Sequence, residues 1–187
     1  EPVVINNGID TSSFIKTNKK DRNSFLWSSA LNRGVLDLAK HWHMILECIP
    51  SAKLNICYPE YSSRIHSNIL NELKRYECDS IKIVGTVDQN TLHKLMMRSE
   101  YWCYVTDYEE TYCITALEMQ YSKVIPIVTN VAALNETVPY NIKVSNDRDR
   151  WLRVCNILTH ITETQKKDIR RKNYMFAKQN TWHMRAL

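Results

Sequence analysis

Two short apolar runs, residues 101–106 and 123–128, constrain this chain more than any other feature. Each is rich in β-branched and aromatic residues and is bounded by polar turns, the pattern of a strand buried on both faces of a parallel sheet. Parallel neighbours cannot be joined by a hairpin, because the crossover needs about a dozen residues or more and is usually a helix. Residues 107–122 supply that crossover. The stretch Glu110-Thr-Tyr-Cys-Ile-Thr-Ala-Leu-Glu118 then runs from the loop at the carboxyl end of one strand to about two turns into the following helix. In open α/β sheets, that loop and helix start are where ligands bind.

The remaining chain repeats the alternation. Residues 2–5 read as a short strand or extended lead-in, followed by the Asn7-Gly8 turn and a polar stretch to residue 24. A strand at 25–27 precedes a helix at 35–49, with Val35, Leu38, Trp42, Ile45 and Leu46 at helical spacing. A strand at 53–57, a helix at 63–76 (Ile65, Ile69, Leu70 and Leu73 inward) and a strand at 81–84 closed by Gly85 come next. A helix at 90–97 with Leu92, Leu95 and Met96 inward leads into the central unit. Beyond it lie a strand at 141–144, a helix from residue 147 carrying Trp151, Val154 and Leu158, and a charged helix at 164–178. Such an order predicts a doubly wound parallel α/β domain with helices on both faces. With 187 residues, 44% of them apolar, the chain has material for one core: an α/β body over 14–145 and a helical extension over 146–187.

Composition narrows the chemistry. A formal charge of +5 suits an anionic ligand but comes without the dense basic run of a nucleic-acid binder, so no nucleic acid partner is expected. The six cysteines show no C-x-x-C spacing and sit mostly in apolar stretches, which fits free thiols in a reducing compartment. No run approaches the length of a membrane span and no signal peptide is visible. The chain opens on Glu-Pro-Val without Met, like a piece of something longer. Its three glycines form neither a dinucleotide fingerprint nor a Walker loop. The histidines make no H-E-x-x-H, and no G-x-S-x-G elbow appears, so no metal site or serine nucleophile is expected.

Glu110 and Glu118 remain. One acid in the loop and one on the helix would straddle a helix start whose unpaired N–H groups, from Thr111 to Ile114, can seat a phosphate. Carboxylates there accept hydrogen bonds from sugar hydroxyls. The spacing equally fits two ordinary charges favoured by the helix dipole.

The stretch from Glu110 to Glu118 resembles the E-x7-E motif of retaining glycosyltransferases, most closely of family 4. The likeness runs along nearly the whole chain in the right order. Val4-Ile-Asn-Asn-Gly-Ile-Asp10 with Phe14 is similar to the N-G-[VI]-D…F segment where the chain enters the family's C-terminal domain. Asn32-Arg33-Gly34 resembles the [KR]-G at that domain's first helix, and Ile83-Val-Gly-Thr-Val87 with Leu92 the F-x-G-x-[VL] strand end near the base. Glu136 resembles the acid closing the loop after the next strand, and Trp182 the segment that crosses back to the other domain. No one of these motifs is specific; their collinear set is.

The resemblance implies a Rossmann-like, nucleotide-sugar-binding C-terminal half of a two-domain (GT-B) enzyme, cytoplasmic, with the N-terminal acceptor domain missing and the isolated piece inactive. The donor would be a UDP- or GDP-sugar, whose hexose is transferred with retention and without a required metal or cofactor. Glu118 would bind the ribose hydroxyls, and Glu110, the catalytic residue, would face the donor sugar, holding its hydroxyls and supporting charge as the glycosidic bond breaks. Arg33 would contact the diphosphate; the backbone of Thr111, Tyr112 and Cys113 would reach sugar and phosphates; Gly85, Thr86 and Val87 would line the base. Three places depart from the pattern. Trp27-Ser28-Ser29 stands where Gly-Arg is usual, Cys113 where Gly is usual, and Val131-Ala-Ala133 where glycines are usual. Two other readings share the scaffold: a nucleotide- or sugar-phosphate-binding module without catalysis, and a sugar-nucleotide epimerase.

Overall fold

A strand that is apolar on both faces is stable only in the middle of a sheet that helices cover. The computed structural model, which describes residues 6–14, 19–60, 63–140 and 142–186, puts the most apolar strands there. β1 (Ser24–Ser28), β4 (Tyr101–Tyr104) and β5 (Ile125–Thr129) are buried at every position. β2 (Lys53–Cys57), β3 (Ile81–Gly85) and β6 (Ile142–Val144) lie towards the edges, in the order β3-β2-β1-β4-β5-β6, with every pairing parallel. The strand at 2–5 expected from sequence lies outside the described residues.

Aromatic contacts knit the centre. Phe25 of β1 stacks on Tyr101 of β4 at 4.8 Å, and Tyr104 contacts Trp27 at 5.0 Å and Trp102 at 4.8 Å. Offset and edge-on pairs of this kind stabilise beyond their buried area by about 0.5–1.5 kcal/mol each.

The helix expected over 35–49 is two: α1 (Val35–Lys40) and α2 (Trp42–Cys48), broken at His41. The break is a tertiary effect. His41 stacks on Trp151 at 5.0 Å while its Nδ1 sits 2.9 Å from the Asp37 carbonyl oxygen, and the turn delivers Trp42 into the core. α3 (Arg64–Leu73) buries Leu73, but Ile65, expected inward, is exposed in its first turn. α4 (Gln89–Arg98) buries Met96 and, unexpectedly, His93. α5 (Ile114–Tyr121), α6 (Leu134–Thr137), α7 (Arg150–His160), α8 (Glu163–Gln179) and α9 (Trp182–Arg185) complete the chain.

Two features fasten the C-terminal helices. α8 begins with a capping box between Thr162 and Gln165, then carries Lys166 and Arg170 to the buried Glu100 carboxylate at 3.1 and 3.2 Å. Beyond α8, the chain pairs with the 6–14 segment: Ile9 donates to the Asn180 carbonyl and Trp182 donates to that of Ile9, each at 3.1 Å. Gly8 makes this approach possible, since a Cβ there would fall 2.5 Å from the Trp182 nitrogen.

Candidate functional site

Strand order decides where a cleft can open. Connections from β1 leave towards β2, whereas β4 continues towards β5, so the loops after β1 and β4 part company at the sheet's carboxyl edge. Ligands of doubly wound sheets bind at this switch point. A cleft of about 560 Å³ lies there, lined by both loops, by the loop after β2 and by the first turns of α4 and α5. Of the predicted residues, Arg33, Thr86, Val87, Glu110, Thr111, Tyr112, Cys113 and Glu118 line it. Gly85 does not: its φ of 84° accommodates the register shift between β2 and β3, where Cys57 pairs with Gly85. Glu136 is exposed on α6 and lies outside the lining.

The β1 loop is held by Trp27, whose indole N–H donates to the Ser29 carbonyl at 3.0 Å. A short 3-10 turn over Leu31–Arg33 ends at Gly34, whose φ of 112° brings the chain against Thr106 at the end of β4. That approach carries Arg33 to Glu110. Its Nη1 lies 2.5 Å from Glu110 Oε1, and the Tyr104 hydroxyl donates to the same oxygen at 2.5 Å. Arg33 also stacks on the Tyr108 ring, 4.0 Å from its centre. Burial alone would pull the Arg33 pKa down; the hydrogen bond and charge of Glu110 outweigh it and hold the guanidinium above its ordinary value. Burial holds the Tyr104 phenol well above its usual range, so it stays a donor.

Glu118 lies one turn into α5, not two, because the helix starts only at Ile114. Cys113 precedes it in the left-handed region, with φ 64°, a conformation that favours glycine. Burial first, and then the Glu110 charge, push its thiol pKa up to about 12, which makes it a poor nucleophile. The Tyr112 hydroxyl donates to the Asn7 carbonyl at 2.7 Å, so that side chain clasps the 6–14 segment.

Glu118 is met from α4. Gln89 Nε2 donates to Glu118 Oε1 at 3.1 Å, and His93 Nε2 lies 3.4 Å from the same oxygen. Sequence reasoning missed both, along with Tyr58 and Glu60, which also line the cleft; Ser28 and Ser29, noted from sequence as a departure from the family pattern, line it as well. The signal for Gln89 and His93 was slight: at i and i+4 on a helix they share a face. Electrostatically the lining is unusual. Among the described residues Arg33 is its one cation, set against Glu60, Glu110 and Glu118. The Ser28 hydroxyl is buried without a hydrogen-bond partner among the described residues.

No protein-family model matches the chain, and no curated protein does. Solved structures do. A trehalose-6-phosphate synthase, studied for enzymatic glycosyl transfer with retention, superposes with a TM-score of 0.71 at 13% identity, over 88% of this chain and 44% of its own. A UDP-forming α,α-trehalose-phosphate synthase from Burkholderia xenovorans gives 0.71 at 12% identity, over 89% and 42%. The pneumococcal O-GlcNAc transferase GtfA, in complex with UDP and GlcNAc, gives 0.68 at 16% identity, over 95% and 35%. At such identities the likeness establishes a shared fold alone: a six-stranded, Rossmann-like parallel sheet with helices around it. The chain spans less than half the length of each of these structures.

Proposed function

We propose that this chain is the donor-binding half of a retaining glycosyltransferase, holding a nucleoside diphosphate sugar, UDP- or GDP-linked, while its hexose passes to an acceptor. The observation that supports it best is the meeting of Arg33, Glu110 and Glu118 at the switch point between β1 and β4. In this reading Glu118 accepts hydrogen bonds from the ribose hydroxyls, and Thr86 and Val87 line the base. The α5 N-terminus and the Thr111–Cys113 backbone face the phosphates. On donor binding Arg33 exchanges Glu110 for the diphosphate. Glu110 is then free for the sugar hydroxyls, and the guanidinium stabilises the charge that collects on the departing diphosphate. The neighbours, one studied for transfer with retention, one UDP-forming and one in complex with UDP, support the stereochemistry and the donor class. A second domain would supply the acceptor site and the opposite wall, which fits the share of the neighbours that the chain covers. All six cysteines are free thiols, in keeping with the cytoplasm, and among the described residues no helix is long and apolar enough to cross a membrane.

One observation favours a second reading, a binding module without catalysis: the cleft's one cation among the described residues is already paired with Glu110, and Ser28 and Ser29 stand where the resembled family has a second cation. Calorimetric titration with UDP, GDP and ADP, repeated on Glu118→Ala, tests the donor site. One nucleotide should bind, and the substitution should weaken it by about 1.5–3 kcal/mol, the worth of a charge-assisted hydrogen bond. Equal binding to the substituted chain would sink the assignment of Glu118. Turnover by the full-length protein separates the two readings.

A further inference from the structure

The cleft's nucleoside end is backed by a buried histidine that no motif singles out. The His93 side chain is 3% exposed, and its ring stacks on Phe14 with centroids 3.7 Å apart and planes 19° from parallel. Both ring nitrogens have partners. Nδ1 lies 2.8 Å from the Ser13 hydroxyl, and Nε2 lies 2.7 Å from Gln89 Nε2. Gln89 Nε2 also reaches Glu118 Oε1, at 3.1 Å. An amide nitrogen only donates, so one N–H of Gln89 goes to His93 Nε2 and the other to Glu118. His93 Nε2 must then accept, which leaves its proton on Nδ1, facing Ser13, and makes its 3.4 Å approach to Glu118 Oε1 a contact and not a hydrogen bond. One assignment therefore satisfies the row Ser13, His93, Gln89, Glu118 from end to end. With the amide turned over, its oxygen would face the Glu118 carboxylate and the row would break.

We propose that His93 is a positioning residue for ribose recognition: through Gln89 it holds the Glu118 carboxylate in the orientation that accepts the sugar hydroxyls. This rests on the reading of Glu118 as the ribose-binding group. The row also has a direction. Ser13 and Phe14 belong to the 6–14 segment, which is itself pinned by Tyr112 and by the Ile9 pairing with Asn180 and Trp182. Displacing that segment would release Ser13 from Nδ1, free the ring to change its proton position and let the Gln89 amide rotate away from Glu118. The carboxylate would stay in the cleft, but unaimed.

The experiment measures binding of UDP and of 2′,3′-dideoxy-UDP, with the GDP pair run alongside, to the 187-residue chain and to three variants. His93→Phe keeps the stack on Phe14 but has no polar atoms, His93→Gln restores one polar group near the Nε2 position, and Ser13→Ala removes only the partner of Nδ1. The native chain should prefer the ribonucleotide over its dideoxy form by about tenfold, the scale of one charge-assisted bond. His93→Phe should lose most of that preference while binding the dideoxy form as the native chain does; His93→Gln should regain part of it, and Ser13→Ala should fall between. General damage to the fold would instead weaken both forms together. Full preference retained by His93→Phe would overturn the proposal, as would full preference in Ser13→Ala should the Phe variant not fold. No binding, or no preference, in the native chain would remove the role of Glu118 itself, and that of His93 with it.

Discussion

Replacing Glu110 by Gln should tighten the binding of a nucleoside diphosphate, because it releases Arg33 from a full negative charge. Arg33 is committed to Glu110 at 2.5 Å, with the Glu110 side chain 6% exposed and Arg33 28% exposed. A diphosphate that recruits Arg33 must first break that pair. Hydrogen bonds to charged groups are worth about 1.5–3 kcal/mol, and breaking this one recovers part of that as the pair is rehydrated. Gln keeps the shape and can still accept from Tyr104, but it releases the guanidinium from a full charge. A gain of about 1–2 kcal/mol, roughly five- to thirtyfold in Kd, follows for UDP or GDP. The sugar-bearing donor should gain less, because Gln recognises its hydroxyls more weakly than a carboxylate. Calorimetry at low and moderate salt measures both ligands, and the ratio of their affinities isolates the sugar's share. Unchanged or weaker nucleoside diphosphate binding in Glu110→Gln would show that Arg33 never leaves Glu110, and that the diphosphate is held elsewhere.

Three further outcomes are expected. Gly8→Ala places a methyl group 2.5 Å from the Trp182 backbone nitrogen, so it should loosen the pairing of the 6–14 segment with residues 180–182 and lower stability by about 1–3 kcal/mol in thermal unfolding. Lys20, whose ammonium donates to the Ser122 carbonyl, has its pKa lowered to about 7 by burial. The folded chain therefore binds fewer protons than the unfolded one between about pH 7 and its ordinary value of 10.5. Stability should rise with pH across that window, at no more than about 1.4 kcal/mol per pH unit from this group, and Lys20→Met should abolish the rise. Among the thiols, burial pushes Cys57 up to about 11 and Cys113 up to about 12, while hydrogen bonds from Ser80 lower exposed Cys78. A disulfide-exchange reagent at pH 8 should mark Cys78 first and reach Cys57 and Cys113 only on unfolding; early labelling of either would contradict the packing described.

What the sequence determined by itself was local. The short runs at 101–106 and 123–128, rich in β-branched and aromatic residues and bounded by polar turns, read as inner parallel strands, and the crossover between them as a helix opening beside a ligand loop. That alone places Glu110 and Glu118 at the carboxyl edge of the sheet, and resemblance adds Arg33. The tertiary structure decided the rest, because it depends on which elements meet. The strand order puts the Arg33 turn beside Glu110, residues 77 positions apart, and makes a paired charge of what reads as a free phosphate ligand. His41 breaks a helix of unbroken apolar periodicity because Trp151 arrives from α7 to stack on it. Glu118 comes under the control of Gln89 and His93, on another helix, and of Ser13, at the far end of that row of bonds. Periodicity records which face of an element is buried, but a polar side chain is aimed by its partner, and that partner is chosen only when the chain closes.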